Sequence, residues 1–179
     1  VFPEVMMSRV VCCKVSARQQ IGSIFLRGFI LFIALATLAL LLTLARLVWI
    51  DVRSFRLPDI YTLPLIVAGL GMALLSGEPD VVSSVLGGVI GFGLFWAIGT
   101  FYFRRHGTEG LGLGDAKLFA ASGTWLGYAV LPQVLLVASL GGLVFAIFTR
   151  GKESRQIAFG PWLALGFGLV WLKVNVLML

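Results

Sequence analysis

The amino-acid sequence predicts an all-α, polytopic membrane protein with about six transmembrane helices, the fourth of them short. Hydrophobic residues make up 59% of the 179 residues, and 22 glycines add to the apolar share, whereas charged residues make up only 12%. Soluble domains are about 45–50% apolar with glycine included, and carry about twice this share of charged residues. A water-soluble fold of this size could not cover its surface with so few charges, so an integral membrane protein is expected.

Apolar runs divide the chain into six predicted spans. At about 1.5 Å of rise per residue, the first run is long enough to cross the hydrocarbon core of a bilayer. The second is short and contains Pro64, and the fourth is too short to cross unless it is tilted or extended by its loops. In the third run, Gly87 and Gly91 have the spacing that lets another helix approach closely. The predicted spans are residues 29–50, 60–75, 81–103, 115–125, 128–148 and 157–177.

Basic residues and tryptophans mark the predicted membrane boundaries. The loops after spans one, three and five contain Arg and Lys, whereas the loops after spans two and four contain neither. Cytoplasmic loops carry the excess of basic residues, so the first set is predicted to lie in the cytoplasm. The basic loop residues are Arg53, Arg56, Arg104, Arg105, Arg150, Lys152 and Arg155, and the tryptophans of a predicted aromatic belt are Trp49, Trp125, Trp162 and Trp171.

The N-terminal segment conflicts with this orientation. Residues 1–20 are a segment of uncertain status, and residues 21–179 are predicted to form a single transmembrane domain. The basic residues before the first span would lie outside the cell, against the charge rule. Three explanations stay open: the first residues are not native, they fold back, or the first span is laid out differently. The apolar run is too long for a cleaved signal peptide, so we expect a retained span.

Several function classes are excluded by composition. The net charge is +6, but the basic residues sit in short clusters beside apolar runs, which indicates membrane topology rather than nucleic-acid binding. Cys12 and Cys13 are adjacent, and His106 is the only histidine. Adjacent cysteines cannot easily bridge each other, and one histidine cannot build a multi-histidine metal site. We therefore expect no nucleic-acid partner, no metal and no cofactor.

Two aspartates stand at predicted membrane boundaries. Asp51 follows the first span, and Asp115 opens the fourth segment after a run of small residues. Ionisable groups at this depth are costly, so a functional role is the default hypothesis, although Asp115 alone could be a helix cap. Both residues face the cytoplasm in the predicted topology, so spans one and four can bring them together. Two carboxyls that share a site cannot both ionise cheaply, and the pair then holds one proton, as in aspartic proteases.

Three short motifs carry a family resemblance. The residues around the second aspartate read Glu109-Gly-Leu-Gly-Leu-Gly-Asp-Ala-Lys-Leu118, with a G-x-G-D core. Asp51 is followed by Leu57-Pro58-Asp59, and the last span begins with Phe159-Gly160-Pro161. This trio, in this order, resembles the type IV prepilin peptidases, bacterial members of the G-x-G-D intramembrane aspartyl proteases. The resemblance covers residues 46–177.

The resemblance implies a multi-pass enzyme of the bacterial inner (plasma) membrane whose active site faces the cytoplasm. Such enzymes cut the short basic leader from type IV prepilins, Flp-type prepilins or pseudopilins, so the implied partners are that substrate helix, the lipid bilayer, and pilus or secretion machinery. Larger members also carry a cysteine-bearing insert and N-methylate the product, and because this chain has no CxxC pair a peptidase-only form is expected. Asp51 and Asp115 match the catalytic pair, Gly112 and Gly114 match the motif glycines, and the matching neighbours are Glu109, Lys117, Pro58, Asp59, Gly160 and Pro161.

Two other functions compete with a protease. A proton-coupled transporter also uses intramembrane aspartates, but it predicts inverted repeats, and we find none. A non-enzymatic assembly subunit would not need two carboxyls on one face. Two local roles are also open: Lys117 either extends to the interface or orients groups near Asp115, and Asp59 either caps the second helix or shapes the site.

Overall fold

The computed structural model describes residues 3–54, 57–107, 112–148 and 159–175. For residues 3–27 and His106 it describes the backbone alone. Every regular element in this part is helical, and there are six α-helices, so the predicted fold class is confirmed. The helices are α1 (Pro3–Ser54), α2 (Asp59–Ser76), α3 (Val81–His106), α4 (Leu113–Leu126), α5 (Leu131–Phe148) and α6 (Gly160–Asn175), with one 3₁₀ turn (Tyr128–Val130) before α5.

Four of these segments are long and apolar enough to cross a membrane: Gly28–Ser54, Asp59–Ser76, Val81–Arg105 and Tyr128–Phe148. Within the described residues, α4 has 14 residues and α6 has 16, so both are shorter. The short fourth helix agrees with the prediction.

The chain divides into two compact units, Val1–Ala39 and Leu40–Leu179, and the site lies wholly in the second. The expected boundary between the N-terminal segment, residues 1–20, and the transmembrane domain, residues 21–179, stays a prediction.

The end of α1 carries a buried apolar face. Leu40, Leu44 and Leu47 are buried, and Asp51 continues the same spacing of three and four residues. Residues at this spacing lie on one side of a helix, so the aspartate is on the leucine face. On α6, a Cβ added to Gly168 would lie 3.7 Å from Leu44 Cδ1. Helix α6 therefore packs beside the part of α1 that leads to Asp51.

Helix α4 is the buried centre of the second unit. All its residues from Asp115 to Leu126 are buried except Lys117. An added Cβ on Gly87 would overlap the backbone of Gly123, and one on Gly91 would lie 2.9 Å from the Phe119 carbonyl oxygen. The close approach predicted from these two α3 glycines is therefore confirmed, and its partner is α4.

Two of the four tryptophans assigned to an aromatic belt belong instead to the core. Trp125 is 4% exposed and Trp171 is 2% exposed, and their rings pack edge to face with centroids 5.0 Å apart. The Trp125 Nε1–H donates a hydrogen bond to the Leu65 carbonyl oxygen of α2 at 2.8 Å. The belt prediction was wrong for both residues: Trp125 lies at the end of the short central helix α4, which is inside the bundle, and Trp171 of α6 packs against it. Trp49, by contrast, is exposed and lies under the Arg53 guanidinium.

The α3–α4 contact predicts a contrast between two alanine substitutions on one helix. In Gly87→Ala the new methyl group overlaps the backbone of α4, which cannot move aside, whereas a Cβ on Gly93 meets nothing within 4 Å. We expect Gly87→Ala to lower the free energy of unfolding by about 1–3 kcal/mol, the usual cost of overpacking. Gly93→Ala should cause no loss. Denaturant unfolding in detergent micelles measures both, and equal stability of the two variants would contradict the packing.

Candidate active site

The two predicted catalytic aspartates are buried at the ends of two different helices. Asp51 lies in the last turn of α1 and is 5% exposed, and Asp115 is the third residue of α4 and is 9% exposed. Asp115 makes no capping hydrogen bond, because the N-cap position of α4 is Gly112 and no side chain caps it. The alternative that Asp115 is a plain helix cap is therefore not supported by the geometry.

The two carboxyls lie close to each other beside Gly160, the first residue of α6. A Cβ added to Gly160 would overlap Asp51 Oδ2 and would lie 3.2 Å from Asp115 Oδ1. Both oxygens are thus within 3.2 Å of one point, so they lie no further apart than twice that distance. The structure therefore places Asp51, Asp115 and Gly160 around one small space.

The carboxyl pair has no charged partner among the residues that the structure describes. Among the described residues, none forms an ion pair or hydrogen bond with the side chain of Asp51 or Asp115, and the Asp51 charge acts directly on Asp115. The described part of the chain also contains no cluster of three His, Cys, Asp or Glu side chains that could hold a metal ion. Since no described cation offsets their charge, two carboxyls that share a buried site cannot both ionise cheaply, so the pair favours holding one proton.

The two motif glycines have different surroundings. A Cβ added to Gly114 would lie 2.7 Å from Leu57 Cβ, so this glycine lets α4 pack against the segment between α1 and α2. Among the described residues, a Cβ added to Gly112 would meet Asp115 Oδ2 at 3.8 Å and Gly114 N at 3.9 Å, which are ordinary contact distances. No described residue crowds Gly112, whereas Leu57 fills the space beside Gly114.

Lys117 and Asp59 form an ion pair between α4 and α2. The Lys117 ammonium donates a hydrogen bond to Asp59 Oδ1, and the side chains are 25% and 58% exposed. The N-cap of α2 is Pro58, in an extended conformation, and it is not capped by a side chain. Of the two open roles for Asp59, capping is thus not seen. Lys117 contacts Asp59, which ties α4 to the start of α2.

Of the two remaining predicted residues, one has a simple position in a helix and the other lies outside the described residues. Pro161 is in the first turn of α6, where its missing N–H costs no helical hydrogen bond. Glu109 falls among the residues that are not described. Sequence reasoning missed Leu57 as the neighbour of Gly114, since a single loop leucine carries no pattern that pairs it with a distant glycine.

Comparison with known proteins identifies relatives of one kind. A protein of Escherichia coli (strain K12) named prepilin leader peptidase/N-methyltransferase is 46% identical over 120 residues, which are 65% of this chain and 53% of the relative. Proteins of the same name from Pectobacterium carotovorum subsp. carotovorum and Neisseria gonorrhoeae are 40% and 41% identical, over 87% and 80% of this chain and 57% and 53% of their own lengths. No solved structure matches the chain with significance.

The chain spans about half the length of these curated relatives. The sequence profile of the type IV leader peptidase family matches residues 36–147, which include both aspartates and both motif glycines. The matched segment is more than half of the chain, and the resemblance inferred from the three motifs is confirmed. This chain belongs to the type IV leader peptidase family.

Proposed function

We propose that this chain is an aspartic-type endopeptidase that removes the leader peptide of type IV prepilins. The observation that carries the proposal is the pair of buried carboxyls beside Gly160, which has no other ionic partner among the described residues. The substrate class comes from the relatives, whose names describe prepilin leader peptidases. Flp-type prepilins and pseudopilins are further candidates through the family resemblance.

The pair supplies both halves of acid–base catalysis. The ionised carboxylate takes a proton from a water molecule held between Asp51 and Asp115, and the water oxygen attacks the carbonyl carbon of the scissile peptide bond. The protonated carboxyl donates a hydrogen bond to the carbonyl oxygen, which stabilises the negative charge that develops there. The peptide carbon becomes tetrahedral.

Collapse of this intermediate restores the pair. A proton passes from the carboxyl that took it to the amide nitrogen, and the carbon–nitrogen bond breaks to give a free amine and a carboxylic acid. The two aspartates end the cycle sharing one proton again. Because Gly160 has no side chain, the space that the water needs stays free.

The bilayer helps to deliver the substrate in this proposal. A prepilin carries an apolar helix next to a basic leader, and that helix can lie in the membrane beside the enzyme's own apolar surface. The exposed side chains of the described spans are mainly large hydrophobic residues, which suits lipid and an apolar substrate helix alike. The enzyme would act beside the pilus or secretion machinery that uses the processed pilin.

Asparagine substitutions test the proposal directly. Asp51→Asn and Asp115→Asn keep the shape of the side chain but remove its acid–base chemistry, so each should lower prepilin cleavage by about 100- to 10,000-fold or more. Asp80→Asn is the matched control, because Asp80 is exposed and forms no capping hydrogen bond. Cleavage in isolated membranes is followed by mass spectrometry, with insertion checked for each variant. Substantial cleavage by either catalytic variant would refute the paired role.

The same mass spectra test the second activity in the relatives' names. The sequence predicts a peptidase-only form, so the pilin released by this chain should carry a free N-terminal amine. A product heavier by one methyl group, formed in the presence of a methyl donor, would contradict that expectation. A transporter or an assembly subunit would release no product in any of these samples.

We further infer that the chain lies in the bacterial inner membrane with the carboxyl pair near the cytoplasmic face. Arg53 lies in the last turn of α1, which also holds Asp51, and Arg104 and Arg105 lie near the C-terminal end of α3. All three are exposed, whereas the α2–α3 turn contains no basic residue. An excess of Arg and Lys marks cytoplasmic segments.

Cysteine labelling tests this orientation. In a background of Cys12→Ser and Cys13→Ser, Ser54→Cys lies at the end of α1 and Glu78→Cys lies in the α2–α3 turn. A membrane-impermeant maleimide added to spheroplasts should label the cysteine at position 78 and should reach position 54 only after lysis. Labelling of position 54 in intact spheroplasts would reverse the proposed orientation.

A further inference from the structure

The first turn of α6 leaves one backbone donor unused beside the carboxyl pair. The N–H groups at the start of a helix have no carbonyl partner in a preceding turn, so each needs another acceptor. Pro161 has no N–H, and the N–H groups of Trp162 and Leu163 are satisfied. Both of these donate to the Phe159 carbonyl oxygen at 3.1 Å. No described residue accepts a hydrogen bond from the N–H of Gly160, the residue beside both aspartates.

Two buried carboxyls mark the space beside this donor. Asp51 is 5% exposed and Asp115 is 9% exposed, and neither side chain has a hydrogen-bond partner among the described residues. Asp51 Oδ2 and Asp115 Oδ1 lie around the Cβ position of Gly160, the second of them at 3.2 Å. The nitrogen of a residue is about 2.5 Å from its Cβ, because both atoms are bonded to Cα. The Gly160 nitrogen is therefore within about 6 Å of both carboxyl oxygens.

A single oxygen atom can bind the Gly160 N–H and one aspartate together. The heavy atoms of an N–H···O bond are about 2.9 Å apart, and those of an O–H···O bond about 2.7 Å. The two bonds together span at most about 5.6 Å, which is within the limit set by the Gly160 nitrogen and the carboxyl oxygens. Since neither carboxyl accepts this N–H, the donor is available to a third group that enters the space.

Aromatic packing holds the start of α6 in place. The ring centroids of Phe159 and Phe95 of α3 are 6.3 Å apart, and a Cβ on Gly142 of α5 would lie 3.8 Å from Phe159 Cδ2. The residue directly before Gly160 is thus held against two other helices. A donor that is fixed before the reaction stabilises developing negative charge without a cost of reorientation. The positive end of the α6 helix dipole acts in the same direction.

We propose that the Gly160 backbone N–H is an oxyanion donor for the scissile peptide bond. When water attacks the carbonyl carbon, the π electron pair of the C=O bond moves to the oxygen, and the N–H and the protonated aspartate both donate hydrogen bonds to it. The N–H keeps its own proton throughout. The proposal rests on the proposed function, because it needs a peptide bond at the carboxyl pair. The competing role of this N–H is a hydrogen bond to the ionised carboxylate.

Replacing one backbone amide by an ester tests the donor without adding a side chain. Glycolic acid in place of Gly160 exchanges the N–H for an oxygen atom and adds no Cβ. Glycolic acid in place of Gly93 is the matched control, in the interior of α3 where a Cβ meets nothing within 4 Å. Both esters are introduced by stop-codon suppression during cell-free translation of the full chain into nanodiscs. The kcat and KM of prepilin cleavage are then measured as a function of pH.

We expect the Gly160 ester to lower kcat by about 100- to 1,000-fold, the usual cost of losing one oxyanion donor, with KM nearly unchanged. The pH profile should keep its wild-type midpoints, and the Gly93 ester should cleave like the wild type. Unchanged kcat in the Gly160 ester would overturn the proposal. A displaced pH profile would also overturn it, since the N–H would then serve the carboxylate. An equal loss in both esters would overturn it as a general effect of the ester bond.

Inhibitor binding gives a second test that does not need turnover. A prepilin peptide with a difluoromethylene ketone at the scissile position adds water and becomes a tetrahedral diol that resembles the intermediate. The matched peptide has a methylene group there and lacks the oxygen. We expect the Gly160 ester to bind the ketone peptide about 100-fold more weakly than the wild type does, and the matched peptide equally well. Loss of affinity for both peptides, or for neither, would contradict the oxyanion role, whereas failure of the wild type to cut any prepilin would instead refute the proposed function.

Discussion

The constraint on which the rest of the structure depends is the close approach of two buried carboxyl groups in a space that a glycine leaves empty. Asp51 and Asp115 come from helices far apart in sequence, and their oxygens lie around the position of a missing Gly160 side chain. Neither carboxyl has a cationic partner among the described residues. Burial of such a pair is costly unless one proton is shared, so the surrounding helices must hold the two groups together against their repulsion.

Small residues at the helix contacts and one short helix, α4, allow the surrounding helices to hold the two carboxyls in place. Helix α4 has 14 residues and extends for about 21 Å, less than the hydrocarbon thickness of a bilayer. Its polar start can therefore lie inside the protein, which is where irregular backbone is tolerated at membrane depth. Contacts of α4 with Gly87 and Gly91 of α3 and with Leu57 fix its position. Asp51 continues the buried leucine face of α1 and lies beside the start of α4.

Some of this arrangement could be predicted from sequence because its signals are local. Apolar runs predicted the six helices, and the spacing of Gly87 and Gly91 predicted a close helix contact, because both depend on neighbouring residues only. The prediction for Trp125 and Trp171 was wrong, since a tryptophan near the end of an apolar run can face the bundle as well as the interface. The Asp59–Lys117 ion pair and the Leu57–Gly114 contact join distant segments, and no local pattern encodes which segments meet.

A single methyl group at Gly160 tests most directly whether the space between the carboxyls is the catalytic centre. In Gly160→Ala the methyl group would overlap Asp51 Oδ2 and displace any water between the aspartates, whereas in Gly168→Ala, on the same helix, it makes only ordinary contacts at 3.6 Å or more. Prepilin cleavage is measured for both variants at equal amounts of inserted protein. The account predicts loss of cleavage in Gly160→Ala and near wild-type cleavage in Gly168→Ala. Normal cleavage by Gly160→Ala would contradict it.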